Sequence, residues 1–292
     1  MATTHITTGE TKSDRTKVMI ARVFSYAFLV FVTIISLFPI FMLIINATRS
    51  HTQIAGGFSL LPSSYFIQNF NGAFTQRFSH GLLNSFIIAA CSSVLSAYFS
   101  AMTAYGIHVY DFKLKKFAFT FIMIVMMIPT QISAVGFVNL VYQFKLNGTF
   151  WPLIIPSIAA PAVFFYLKHY IESSMPLEVI EAARVDGSNE FMTFNFIAIP
   201  MLMPAISVQL IFAFTSSWNN FFIPAMIMDK ENSKTVPMLL SLLRAEIQAG
   251  SAGGNWGIVY MTTFLAIIPV VIVYIFISKN IVGGVALGAV KG

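Results

Sequence analysis

Between Pro176 and Pro200 the chain gathers Glu178, Glu181, Arg184, Asp186 and Glu190, while the stretches on either side are almost free of charge. Carboxylates and a guanidinium on so short a segment can make charge-assisted hydrogen bonds to a partner protein, or can be a solvated surface worth little. A second set of polar residues lies within long apolar runs: Gln131 and Asn139, then Gln209, Ser216, Ser217, Trp218, Asn219 and Asn220. Amides and hydroxyls beside an indole suit a polyhydroxylated solute. The same groups also serve as contacts between helices, at roughly 0.6–2 kcal/mol each. A third set, Gln248, Gly250, Gly253, Gly254 and Asn255, is a glycine-rich tip that reads as a contact loop or as a flexible turn.

Other chemistries lack their residues. No G-x-x-x-x-G-K-[ST] phosphate loop occurs, so the chain is not expected to bind ATP. No His/Cys cluster suggests a metal, and Cys91, the single cysteine, excludes an internal disulfide. No nucleophile pair or His/Glu metal motif points to an enzyme. The centres of the apolar runs hold no Asp, Glu, Lys or Arg, which counts against a proton-coupled carrier.

The elements that would position these groups follow from composition. Of 292 residues, 57% are hydrophobic and 10% charged, against about 25% charged in a soluble domain. So little polar surface cannot cover a water-soluble globule, and the net charge of +6 suits anionic lipid rather than nucleic acid. The reading is an all-α integral membrane protein of six spans, each needing about 20 apolar residues. A polar tail (1–17) precedes the first span (18–46), which contains Pro39. A polar, aromatic loop without a core of its own fills 47–81. Five more spans occupy 82–277.

The second span, from about Asn84 to Tyr105, is rich in Ala and Ser, as a helix closely packed by others would be. The third runs from Phe117 to about Leu140 with Pro129. The fourth runs from about Phe150 to Tyr170, with Pro152, Pro156 and Pro161. The charged loop is 172–196. The fifth span runs from Ile197 to about Phe222, the polar loop 223–256 follows, and the sixth runs from Gly257 to Ile277 before a tail (278–292). Within the charged loop, Pro176 suits a first helical turn and Gly187 a left-handed helix end. Ile180, Ala183 and Gly187 fall on one small apolar face, and Ser188 is placed to cap a second helix.

Glu181-Ala182-Ala183, three residues, Gly187, nine residues, then Ile197-Ala198-Ile199-Pro200 resembles the signature of permease subunits of binding-protein-dependent ABC importers. Only Ile199 departs from it, standing where the family has Leu. Leu83-Asn84-Ser85, Ala104-Tyr105, Ser217-Trp218-Asn219 and the terminal Gly288-Ala289-Val290-Lys291-Gly292 are similar to the second permease of oligosaccharide importers of the maltose-transporter type.

The resemblance implies the type I ABC importer permease fold in the cytoplasmic membrane. It makes the charged loop a coupling helix, with Glu181, Ala182, Ala183, Arg184, Asp186 and Gly187 docking on a cytoplasmic ATPase. The C-terminal tail reaches towards that ATPase, and the Gln248–Asn255 tip enters the solute-binding protein's cleft. The implied assembly holds a second, homologous permease, two ATPase subunits carrying ATP and Mg, and an extracytoplasmic binding protein that delivers a sugar. A glycerol phosphodiester or a uronate oligomer is the alternative solute, and a stand-alone secondary carrier the alternative class.

Lys and Arg give the orientation: with both termini inside, the inner segments hold eleven and the outer loops six. Alkaline phosphatase fused after Ser188 should therefore be inactive in whole cells. Strong phosphatase activity would invert the topology.

Overall fold

The computed structural model describes residues 12–251 and 253–289, and every regular element among them is a helix. The main helices are α1 (Lys12–Ala47), α2 (Gln76–Val109), α3 (Lys115–Met126), α4 (Thr130–Gln143), α5 (Pro161–Ser174), α6 (Leu177–Val185), α7 (Ile199–Trp218), α8 (Val236–Gln248) and α9 (Trp256–Ala289). Five segments are long and apolar enough to cross a membrane: Val18–Ala47, Gln76–Val109, Trp151–Ser174, Glu190–Trp218 and Trp256–Asn280. The pair α3 and α4, bent by 94°, makes a sixth when counted as one crossing. The first helix is described from Lys12 and its membrane-spanning part is Val18–Ala47; residues 1–11 lie outside the described residues.

α2 is the centre of the bundle, and α7 and α5 pack on it most extensively. Its small residues permit that approach: Ala89, Ala101 and Ala104 have no exposed surface, and Ser93, Ser96 and Ser100 are buried. The buried hydroxyls need acceptors in so dry a place. Ser92 donates to the carbonyl of Leu153 (3.2 Å) and Ser96 to that of Ser93 (3.0 Å). The largest apolar cluster surrounds the C-terminal half of α2, with Tyr105, Leu167, Ile171, Met175, Ile180, Phe194 and Leu202.

Prolines set the breaks. Pro129 separates α3 from α4, because it lacks an N–H and pushes the preceding residue out of helical conformation. The fourth crossing is pieced together from a short helix at Trp151–Ile154, a 3-10 turn at Ile155–Ile158 and α5 beginning at Pro161. Pro200 has no N–H to give to the Phe196 carbonyl. The ladder adjusts in a π-helical turn at Phe194–Ala198.

Two connections are more ordered than expected. Residues 47–81 form short helices at His51–Ala55 and Phe66–Ala73, and they do share a core, with Ala47, Ala73 and Met261 buried together. Asn69, 1% exposed, pins this segment: its Nδ2 donates to the carbonyls of Ala47 (2.8 Å) and Arg49 (2.9 Å). Residues 223–256 are largely helical as well, because Val236, Met238 and Leu239 give α8 an apolar face to bury.

Gly257 makes the packing at Asn69 possible. A Cβ there would sit 2.5 Å from the Arg49 carbonyl oxygen and 2.6 Å from the Asn69 amide. Gly257→Ala should destabilise the purified protein by about 1–3 kcal/mol through overpacking, seen as a lower thermal midpoint in detergent. Gly253→Ala, with open space around it, should leave the midpoint unchanged. Equal midpoints for the two variants would refute the close approach.

Candidate functional site: a docking helix and a polar cleft

The charged loop folds into α6 and a sharp exit. Pro176 stands just before the helix, with φ −62° and ψ 141°, rather than inside its first turn. Ile180 and Ala183 are buried, and Ile180 anchors α6 on the core around Tyr105 and Phe194. Glu181, Ala182, Arg184, Val185 and Asp186 are exposed on its other face. The end of α6 is a double closure. Gly187 N–H donates to the Arg184 carbonyl (3.1 Å) and Ser188 N–H to that of Ala183 (3.0 Å). Gly187 takes φ +82°, the left-handed turn expected of it.

The following helix, Glu190–Thr193, is capped by Asn189 and not by Ser188: Asn189 Oδ1 accepts from the Met192 N–H at 2.9 Å. Ser188 is still part of the preceding helix's closure, so the first residue free to cap is the next one.

α6 is braced against the end of α2. Arg184 Nε donates to Glu190 Oε1 (2.8 Å), and its guanidinium lies over the Tyr110 ring at 5.6 Å. Glu190 Oε2 also accepts from the hydroxyls of Tyr105 (3.3 Å) and Tyr110. Partial burial, then the bond to Glu190, raises the Tyr110 hydroxyl's pKa and keeps it a donor. His108 Nε2 lies 3.1 Å from the Met175 carbonyl oxygen, just ahead of α6. Nothing in the local sequence marks Tyr105, His108 and Tyr110 as site residues. They lie about seventy to eighty positions away from their partners, and no local pattern links them.

The polar residues of the spans divide into two groups. A cleft of about 420 Å³ opens between α2, the 3-10 turn and α7. Gln209, Ser216, Ser217 and Asn220 line it, together with the apolar Phe212. Ser92, Ser96 and Ser157 complete the wall. The two α2 serines had read only as small packing residues, and their hydroxyl role was visible only once α7 lay opposite. The wall's described side chains include no charged group.

Gln131, Asn139 and Asn219 are exposed and lie outside this wall. Trp218 also departs from its expected place. It is 4% exposed and stacks on Phe214 (5.7 Å between centroids), in a cluster with Ala89. Phe214 and Trp218 lie at i and i+4, so the helix buries both rings in one stripe.

On the connection into α9, Gln248, Gly250 and Gly253 are exposed, with Gly250 at φ +64°. Asn255 instead caps α9, its Oδ1 accepting from the Gly257 N–H at 2.8 Å, and Gly254 packs beside Ile247. At the C-terminus, Gly288 and Ala289 belong to α9, while Val290, Lys291 and Gly292 lie outside the described residues.

Known proteins share this architecture. The family described as binding-protein-dependent transport system inner membrane component matches residues 96–282. The arabinooligosaccharides transport system permease protein of Halalkalibacterium halodurans is 32% identical over 270 residues, covering 90% of this chain and 94% of that protein. The lactose transport system permease protein of Rhizobium radiobacter is 27% identical, covering 91% and 95%. A chain in the crystal structure of a bacterial ABC transporter involved in the import of the acidic polysaccharide alginate superposes with a TM-score of 0.74 at 20% identity. That match covers 94% of this chain and 99% of the other. A family match over more than half of the chain, on a bundle of this architecture, identifies it as a non-enzymatic, multi-pass permease subunit of a binding-protein-dependent ABC importer of the cytoplasmic membrane, working with a separate ATPase.

Proposed function

We propose that the chain carries a neutral oligosaccharide through the membrane by alternating access, as one of two homologous permeases above two ATPase subunits that bind ATP and Mg. The observation that carries the choice of solute is the cleft. Hydroxyls and amides from Ser92, Ser96, Ser157, Gln209, Ser217 and Asn220, with Phe212 as an apolar surface, suit a sugar's alternating donors, acceptors and C–H face. The names of the arabinooligosaccharide and lactose relatives support the same class. A relative named for sn-glycerol-3-phosphate, from Brucella abortus, is 25% identical. A phosphate would need cations in the wall, and the residues named there are neutral.

Docking on the ATPase falls to α6. Its exposed Glu181, Ala182, Arg184 and Asp186 offer charge and a shallow surface, while buried Ile180 and Ala183 turn any push on α6 into movement of the core. This reading puts α6 on the cytoplasmic side, where the C-terminal residues 288–292 approach the same ATPase. The Gln248–Gly253 tip then faces outward, to the solute-binding protein.

Two outcomes follow. Glu181→Lys should leave the permease in the membrane but weaken ATPase association about a hundredfold, from a lost charge-assisted contact plus repulsion. Co-purification yield measures it, and undiminished yield would remove α6 from the docking role. Gln209→Ala should lower sugar uptake severalfold while basal ATP hydrolysis and assembly stay intact. Uptake equal to that of the unaltered chain would take the cleft off the solute's path. Titrating arabinooligosaccharides, lactose and glycerol 3-phosphate into the importer's binding protein tests the solute class directly, and tight binding of the phosphate alone would overturn it.

A further inference from the structure

The connection leading into α8 is tied by side chains to the first turns of α2. Asn84 Nδ2 donates to the carbonyls of Asn232 (2.7 Å) and Lys234 (3.0 Å), and Ser85 Oγ accepts from the Val236 N–H (2.9 Å). Asn84 and Ser85 are 7% and 3% exposed, so these bonds form away from water. Nearer the surface, Arg77 pairs with Glu231, which also accepts from Lys234. The bond from Arg77, then that from Lys234, holds the Glu231 carboxyl down at about 2, so the pair stays charged at any ordinary pH. Arg77, Asn84 and Ser85 lie at i, i+7 and i+8 and thus share one helical face.

At its far end the same helix holds α6, through Tyr105, His108 and the Tyr110–Glu190–Arg184 cluster. Between the two ends run 34 helical residues, about 50 Å at 1.5 Å per residue. α2 is also the one crossing free of proline: the others contain Pro39, Pro129, Pro156, Pro204 and Pro269. Prolines are where helices commonly bend, and α2 runs unbroken from one face to the other.

We propose that Asn84 and Ser85 are positioning residues through which docking of the binding protein at the α8 end displaces α2 as a rigid strut and so moves α6. This rests on the docking assignments proposed above for α6 and for the 248–253 tip. Val236 is both the residue bonded to Ser85 and the first residue of α8, so a shift of α8 cannot be absorbed by slack before it reaches α2.

The test uses the complete importer in lipid nanodiscs, with its binding protein carrying the tightest ligand among arabinooligosaccharides, lactose and glycerol 3-phosphate. ATP hydrolysis is measured against binding-protein concentration. Asn84→Asp keeps the shape and removes both donated bonds; Ser85→Ala removes the acceptor; Ser85→Thr keeps it. The first two should lower maximal stimulation about tenfold, within the usual span for coupled sites. Basal hydrolysis and the half-saturating concentration should hold, and Ser85→Thr should behave as the unaltered protein.

Full stimulation in Ser85→Ala would overturn the proposal, and so would a change in half-saturation alone, which marks mere support of the docking surface. Ser85→Ala, the smaller change, decides the matter if Asn84→Asp fails to assemble. A cysteine at Gly253 in the otherwise unaltered chain, crosslinked to the binding protein, separates the two levels. A missing crosslink removes the docking assignment and the strut with it. A crosslink with undiminished stimulation in Ser85→Ala removes the strut alone.

Discussion

The structure depends on how closely other helices can approach α2. In lipid there is no hydrophobic gain from bringing two apolar helices together, so association relies on packing and on hydrogen bonds across the contact. Alanine and serine along α2 supply both. Ala89, Ala101 and Ala104 remove bulk, while Ser92 and Ser100 donate to carbonyls of the segments opposite. Because α7 and α5 rest on this one surface, a cleft can open beside it without loosening the bundle.

Irregular backbone is confined to places where it does something. The 3-10 turn at Ile155–Ile158 and the π turn at Phe194–Ala198 both lie beside the continuous α2. The 3-10 turn contributes Ser157 to the cleft wall, and the π turn sits between α6 and α7. Backbone that leaves the helical ladder is tolerated in a membrane where neighbours or a water-filled cavity satisfy it. A continuous, small-faced helix flanked by broken ones is an arrangement in which parts can move against a fixed reference.

Local features were legible in the sequence, and long-range ones were not. Gly187 after a helical Glu-Ala-Ala-Arg run reads directly as a left-handed exit, and the Ala/Ser run of α2 reads as a buried helix. Ser188 misled, because nothing local shows that its N–H still closes the preceding helix. Trp218 misled for the opposite reason: its neighbour Asn219 suggested a sugar platform, while Phe214, four residues back, decides which way the ring points. Asn69, Glu190 and Tyr110 take their roles from partners about twenty to eighty positions away, which no window of residues contains. The membrane reading was secure because composition decides it, whereas the lining of the cleft required α2 and α7 to be seen side by side.

α1 adds a constraint of another kind, on the order of manufacture. Only 6% of its apolar window is buried within the chain, and its extensive packing is on α9. α1 is made well before α9 and so meets this intramolecular partner late in synthesis. Until then it must persist as a solitary spanning segment, kept in place by its own hydrophobic length. Its apolar window is the most hydrophobic of the candidate spans, as suits a helix that faces lipid.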